Sequence, residues 1–426
     1  MMKKIILIIC TVSLSFSAFS QELMTVKQYR EKVLDYSQSL KQAQENVVAS
    51  EADIKDAKSN FLPKLDAAAE FSYLINDISF DLEGMELKYA NWSYGFSATA
   101  AQNVYSGGIV RKQVDALKIQ NKVAEKSVEQ TIENIGYVAD LNYWSLATMS
   151  SFKQAALNYL EIIMQTYTII KDRYEDGLIS KNDLLMIETR LQDAKYQLSS
   201  IEKQYKEASI KVNLLMGVAP DTEVLLADSL MNVEAVIPAY KDLDYALGNR
   251  AEFSISELQI QSTFQALKLT KAQYLPQFAV GVLGQYATPL LNFTGDGMFT
   301  GVAFGQLKVP IFAGNSRKHK LASVQAKIRQ SEYAKQKVTD EINQELSVAW
   351  SNVTNTYNQI EVANNSLKIS EESLDLNTFS YSAGVLTLLD VLSSQISWLT
   401  AYNNLISTKF SFIQAEASYN KAIGNY

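Results

Sequence analysis

The sequence is poor in the residues that usually mark a reaction centre. It has one cysteine, Cys10, and one histidine, His319, in 426 residues, which leaves no material for a disulfide framework or a Cys/His metal site. His319 sits among Arg317, Lys318 and Lys320, a stretch that reads as solvated surface rather than a catalytic base. No Ser/His arrangement or glycine-rich phosphate loop has a candidate, and no carboxylate pair stands out from the surface charge of the helices. Neither an enzyme, nor a cofactor, nor an energy-coupling site is expected. A basic excess is missing too: Lys and Arg number 39 against 46 Asp and Glu, a net charge of -7, which speaks against a nucleic-acid partner. With only 6 prolines and 17 glycines, the chain has few places to stop, so long uninterrupted elements are expected.

Residues 1–20 combine Lys3-Lys4, an apolar run from Ile5 to Val12 and small residues up to Ser20, the pattern of a secretory signal peptide cleaved near Ser20. The apolar run is shorter than the roughly 20 residues a spanning helix needs. Cys10 follows Leu7-Ile8-Ile9 rather than small residues, so a lipid anchor is not expected.

Beyond the leader the chain reads as two copies of one unit. RYEDGLISKNDLL at Arg173–Leu185 has a near copy at Tyr381–Leu392, and the 207 positions that separate Gly177 from Gly384 also separate Gly217 from Gly424 and Tyr105 from Phe312. The first unit, 21–217, reads as a helix over Glu22–Phe61 ended by Pro63, a β-hairpin over about 64–105, a long helix from Ile109, a turn at 174–183 and a return helix. Residues 218–239, with Pro220 and Pro238, form a linker. The second unit, 240–426, repeats the order with a helix to Gln273, a hairpin over about 277–312, a long helix to Ser380, a turn at 381–390 and a return helix.

Period two dominates the first hairpin. Leu65, Ala67, Ala69, Phe71, Tyr73 and Ile75 share one face and Trp92, Tyr94, Phe96, Ala98 and Ala100 another such row, each opposite polar or small residues. Alternation alone fits a soluble two-sheet hairpin as well as a transmembrane barrel; the leader and the Tyr/Trp ends favour the membrane. In the second hairpin alternation is poorer, and Gly281, Gly284, Gly301 and Gly305 suggest curvature or close packing.

The long helix from Ile109 to Gly177 would measure roughly 100 Å. Its seam runs Val110, Val114, Leu117, Asn121, Ala124, Val128, Thr131, Ile135, Val138, and the return helix carries Leu184, Ile187, Leu191, Ala194, Leu198, Ile201, Tyr205, Ala208, Val212, Leu215. Steps of three and four predict antiparallel coiled-coil hairpins. Apolar residues off the seam, such as Ile119, Trp144 and Ile162, require lateral neighbours.

Leader, duplicated halves, one β-hairpin per half, coiled-coil hairpins and the turn motifs RYxxG and YxxGxxTxxD together resemble the TolC-type outer-membrane efflux channel family over essentially the whole mature chain. The resemblance implies a mainly α chain with a membrane β-barrel part: a homotrimer in which each protomer gives four strands to a shared 12-stranded barrel and its helices to a periplasmic α-barrel tunnel. It implies a passive exit duct in the cell outer membrane, contacting outer-membrane lipid, a periplasmic adaptor and an inner-membrane pump of RND or ABC type. Arg173, Gly177, Leu178, Gly384 and Val385 would then contact the adaptor, and Asp183, Tyr381 and Asp390 would lie at the entrance constriction. Ser393 and Leu386 stand where some members carry a second aspartate and an arginine. Small-molecule efflux is the leading reading, with type I protein secretion, or a non-conducting periplasmic coiled-coil scaffold, as alternatives.

Overall fold

The computed structural model describes residues 23–76, 78–82, 85–88, 90–288 and 296–426. The expected leader with Cys10 lies outside the described residues, as do Asn292 and Gly295 of the second hairpin loop. Among the described residues eight α-helices and six strands follow in the order α1 (Val26–Tyr36), α2 (Gln38–Ser59), β1 (Lys64–Tyr73), β2 (Ser79–Leu82), β3 (Met85–Lys88), β4 (Trp92–Tyr105), α3 (Ile109–Glu175), α4 (Lys181–Met216), α5 (Leu243–Asn249), α6 (Ala251–Ala272), β5 (Gln277–Ala287), β6 (Met298–Lys308), α7 (Ser316–Ser382) and α8 (Leu388–Ala422). Equivalent elements match in length: α3 and α7 both have 67 residues, and α2 and α6 both have 22. The described helices include none long and apolar enough to cross a membrane.

Backbone contacts divide the chain into two compact units, each drawn from both halves of the sequence. The first comprises residues 23–37, Ile135–Ala239 and Trp350–Ser418. Its largest core joins four helices: Tyr159, Ile163 and Ile170 of α3, Ile187 and Ala194 of α4, Leu367 and Leu374 of α7, and Leu392, Trp398 and Leu405 of α8. Of the off-seam residues, Ile162 packs against this core and Trp144 against two smaller ones. On α8, Val391, Trp398, Ala401, Leu405, Phe412, Ala415, Tyr419 and Ala422 recur at steps of three, four and seven and all are buried. On α3 the seam slips by one residue: Val138 is exposed and Ala139 buried, followed by Tyr143 and Leu146. A straight helix drifts relative to a strict heptad, and here the drift is taken up in one step.

The linker forms an extended segment with a single 3-10 turn at Leu230–Asn232. Met24 pairs beside Leu226 as an isolated parallel bridge, and the Tyr143 hydroxyl closes this clasp by hydrogen bonds of 2.7 Å to the Met24 carbonyl and to Asp228 Oδ2. Lys409, half-buried on α8, donates to the carbonyls of Met231 and Val233 and so fixes the 3-10 turn.

The second unit comprises Gln38–Asn134, Tyr240–Ala349 and Tyr419–Tyr426. It contains an antiparallel sheet in the order β1-β4-β5-β6. The register opposes Leu65 to Ala100, Ala69 to Phe96, Phe96 to Tyr286 and Tyr286 to Phe299, so the apolar row foreseen in the first hairpin continues across all four strands. A separate ribbon, β2–β3, occupies the first hairpin's loop, where no strand was expected. The last strand ends at Lys308 rather than Phe312, because Pro310 has no N–H to give the ladder.

Both single helices expected before the hairpins are broken. Ser37 separates α1 from α2, and Arg250 separates α5 from α6, 213 positions later. Neither site holds Pro or Gly. At the first break the Tyr36 ring occupies the space beside Gly217, where a Cβ would come within 2.2 Å of ring carbons. At the second, Asn249 lies against Gly424, with 2.9 Å to the same hypothetical atom. Each break therefore seats the C-cap glycine of a return helix.

Candidate functional site

The two turns singled out in the sequence share one construction. Helix α3 ends in Gly177 at φ 73 and helix α7 in Gly384 at φ 77, the left-handed conformation that side chains with a Cβ rarely adopt. Leu178 N donates to Arg173 O and Gly177 N to Tyr174 O; Val385 N and Gly384 N repeat the pair to Ser380 O and Tyr381 O, all between 2.9 and 3.0 Å. This is the Schellman arrangement, which satisfies the last carbonyls of each helix. A consequence is that Leu178 and Val385, directly after the glycines, stand 71% and 76% exposed.

The turns are tied to each other. The Arg173 guanidinium lies 4.9 Å from the centroid of the Tyr381 ring and donates a 3.2 Å hydrogen bond to the Ser382 carbonyl. A cation over an aromatic face at an exposed site contributes about 0.5–1 kcal/mol. Behind the turns, Gln395 Nε2 of α8 donates to Thr166 Oγ1 of α3 at 2.8 Å, a buried polar pin within an otherwise apolar core.

Asp183 and Asp390 open the return helices as the third residue of matching capping boxes. Ser180 donates through its hydroxyl (2.9 Å) and backbone N–H (3.3 Å) to Asp183 Oδ2, and Asp183 N returns a bond to Ser180 Oγ. Thr387 does the same for Asp390, at 2.6 and 3.0 Å. These hydrogen bonds from the Thr387 side chain and backbone hold the Asp390 carboxyl below its ordinary range. The geometry is thus that of helix N-terminal carboxylates, each with Oδ2 committed locally. Sequence reasoning named the aspartates and missed their partners, although Ser180-x-x-Asp183 and Thr387-x-x-Asp390 are both capping-box patterns. Of the remaining named residues, Arg173 and Tyr381 lie at the ends of α3 and α7, and Gly177, Leu178, Gly384 and Val385 lie in the turns that follow. Among the described residues no group of His, Cys, Asp and Glu side chains is placed to hold a metal ion, and His319 is exposed.

Comparison with known proteins decides the family. A family model described as outer membrane efflux protein matches residues 30–218 and 243–425, two segments on either side of the linker region. The chain belongs to the outer membrane efflux protein family. Among curated proteins it is similar to Nodulation protein T of Rhizobium leguminosarum bv. trifolii, 20% identical across 97% of this chain and 88% of the relative. The pyoverdine export outer membrane protein OpmQ of Pseudomonas putida is 20% identical across 80% of this chain and 73% of its own length. Among solved structures, CusC superposes with a TM-score of 0.80 at 16% identity, covering 94% of this chain and 92% of CusC. VceC of Vibrio cholerae gives 0.75 at 17% identity, covering 94% and 96%. At these identities the structures establish the shared fold: a mostly helical outer membrane efflux protein with four antiparallel strands in one sheet.

Proposed function

We propose that this outer membrane efflux protein is the passive exit duct of a tripartite pump for small molecules, and that three copies pool their sheets into one 12-stranded barrel. The observation that carries this reading is the sheet. One face, from Leu65, Phe71 and Tyr73 through Trp92 and Phe96 to Phe278, Tyr286, Phe299 and Leu307, carries no charge, and the other carries Lys64, Asp66, Glu70, Gln285, Gln306 and Lys308. In β4 and β5 the polar-face positions are the less exposed ones, as on the inside of a curved wall. Strands of 10 to 14 residues reach across a hydrocarbon core when tilted. Yet β1 and β6 are edges of the sheet and are exposed along their whole length. Open edges in lipid leave backbone groups without partners, so a four-stranded sheet must close with other copies.

Export is driven by a partner on this reading. The exposed turns, with Leu178 and Val385 presented by Gly177 and Gly384 beside Arg173, are its adaptor-docking surface in the periplasm, and Tyr381, Asp183 and Asp390 border the entrance. A cleaved leader and no lipid anchor complete the picture. The test is to purify the protein in detergent and measure its mass and conductance. A trimer that opens stable channels in a planar bilayer is expected; a water-soluble monomer without conductance overturns the proposal.

A further inference from the structure

Charge changes sign along the strands of the four-stranded sheet. At the ends that meet the helices, residues 55–58, 111–118, 268–271 and 317–320 hold ten Lys and Arg against two Asp, in a chain whose net charge is -7. At the opposite ends, the loops 74–91 and 288–297 hold five Asp and Glu against one Lys. Every strand contributes to the basic end: Lys58 precedes β1, Arg111 follows β4, Lys271 precedes β5, and Arg317, Lys318 and Lys320 follow β6. All six are exposed, and among the described residues none of them pairs with a carboxylate. Arg317 rests over the Tyr274 ring, 5.8 Å from its centroid, which leaves the charge unneutralised.

Helix stability accounts for only part of this pattern. Lys58 and Lys271 lie in the last turns of α2 and α6, where the helix dipole favours cations. Arg111, Arg317 and Lys318 open α3 and α7, where the dipole disfavours them, and neither helix has an acidic residue in its first turn. Helices α4, α5, α6 and α8 do carry one there: Asp183, Asp244, Glu252 and Asp390. The two helices that start beside the sheet thus invert a preference that those four keep. The cations also border apolar surface. Tyr105, Phe278 and Leu307 form the last row of the uncharged face, and Val104 and Tyr105, which close the inner strand β4, are 60% and 51% exposed. The arrangement recurs 207 positions later, where Phe312 and Lys318 match Tyr105 and Arg111.

An apolar and aromatic row followed by cations without carboxylate partners suits the boundary between hydrocarbon and an anionic headgroup layer. We propose that this end of the sheet is a docking collar for anionic phospholipid headgroups of the leaflet on the helical side, with Arg111, Arg317 and Lys318 binding the phosphates. Zwitterionic headgroups bind less well, because their own cation competes for the phosphate. The proposal rests on the membrane-spanning reading of the sheet.

The test uses the full chain, purified in a non-ionic detergent and offered phosphatidylglycerol and phosphatidylcholine in equal amounts, with retained lipid counted by native mass spectrometry. The wild type retains phosphatidylglycerol in excess, and inorganic phosphate of equal charge does not displace it. A cation at an anionic surface strengthens binding by about fivefold, so Arg111→Gln lowers the excess by up to about that factor. Arg111→Gln, Arg317→Gln and Lys318→Gln together bring the two lipids to parity, whereas Lys195→Gln, Lys203→Gln and Lys206→Gln together, at exposed positions of α4, leave the excess unchanged. Should the first triple variant fail to assemble, Arg111→Gln alone decides. Displacement by phosphate makes the collar a free-anion site, and an equal loss in the α4 variant makes the preference one of net charge; either overturns the proposal. So does a collar variant that keeps its lipid excess while its reversal potential in planar bilayers shifts towards cation selectivity, which places these residues on the lumen wall. A wild type that conducts but shows no lipid preference removes the collar and leaves the duct; one that neither conducts nor retains lipid removes both.

Discussion

Four C-cap glycines end the long helices and their return helices, and they fall into two kinds. Gly177 and Gly384 have φ of 73 and 77, Gly217 and Gly424 have 72 and 71, so the backbone requirement is the same. The surroundings differ completely: beside Gly177 and Gly384 a Cβ meets nothing within 4 Å, whereas beside Gly217 it runs into Tyr36 and beside Gly424 into Asn249. The motif is therefore used once for conformation alone, where the chain presents its exposed turns, and once for conformation and contact, where a return helix docks on a helix break. Sequence shows four equivalent glycines; only packing separates them.

Mutations can break this comparison, and the largest effect is expected at the second helix break. Arg250, 1% exposed, donates to Glu252, to Glu345 and to the Lys421 carbonyl, while Ser37 holds the matching place in the first half. Truncating the buried Arg250 side chain leaves a cavity and strips Glu252 and Glu345, 32% and 53% exposed, of their shared cation, at a cost of about 3–5 kcal/mol. Arg250→Ala should lower the thermal midpoint sharply in circular dichroism, whereas Ser37→Ala should move it by a few degrees at most. Gly217→Ala comes next: the left-handed φ and the Tyr36 contact together cost roughly 2–4 kcal/mol. Tyr36→Ala in the same chain should restore part of that loss, and no restoration would mean that the ring contact is irrelevant.

At the exposed turns Gly177→Ala and Gly384→Ala should cost only the conformational part, about 1 kcal/mol. Gly177→Trp and Gly384→Trp should assemble normally yet lose crosslinking to the adaptor; wild-type crosslinking would remove the turns from the docking surface. The smallest effect concerns Asp390. Because its folded-state value lies below the unfolded one, its contribution is complete above the unfolded value and is lost as pH falls through the folded value. Thr387→Val should therefore flatten the acid limb of the stability profile slightly. A trivalent cation added from the periplasmic side should block wild-type current more than Asp390→Asn current if the carboxylate also borders the entrance.

Much of this architecture was legible because its signals are local. A 67-residue helix without proline, a glycine followed by two apolar residues and then Ser or Thr, and rows such as Leu65 to Tyr73 specify length, turn and face through neighbours within a few positions. The helix breaks were not legible, because Ser37 and Arg250 are ordinary helix residues and the reason for stopping there, Tyr36 on Gly217 and Asn249 on Gly424, comes from residues far away in sequence. The seam slip at Val138 and Ala139 failed for the same reason. At the turns the residues were legible but their bonding was only half read: the aspartates were seen as charges, while the hydroxyls three positions earlier that bind them passed as turn residues.

The two offsets in the chain carry a further consequence. Helix breaks and first strands recur after 213 positions, but the long helices recur after 207, so the six-residue difference is confined to the hairpin loops, where the first half carries the β2–β3 ribbon. Length is free in those loops and locked in the helices. One residue added to α3 alone would rotate everything beyond it by about 100° and shift it by about 1.5 Å, carrying Arg173 away from Tyr381 and moving each seam residue off its core. Only an insertion of about seven residues in α3, α4, α7 and α8 together would return every side chain to its face. The long helices thus behave as a matched set of rulers, and length variants of this chain that still fold are expected to differ in all four or in none.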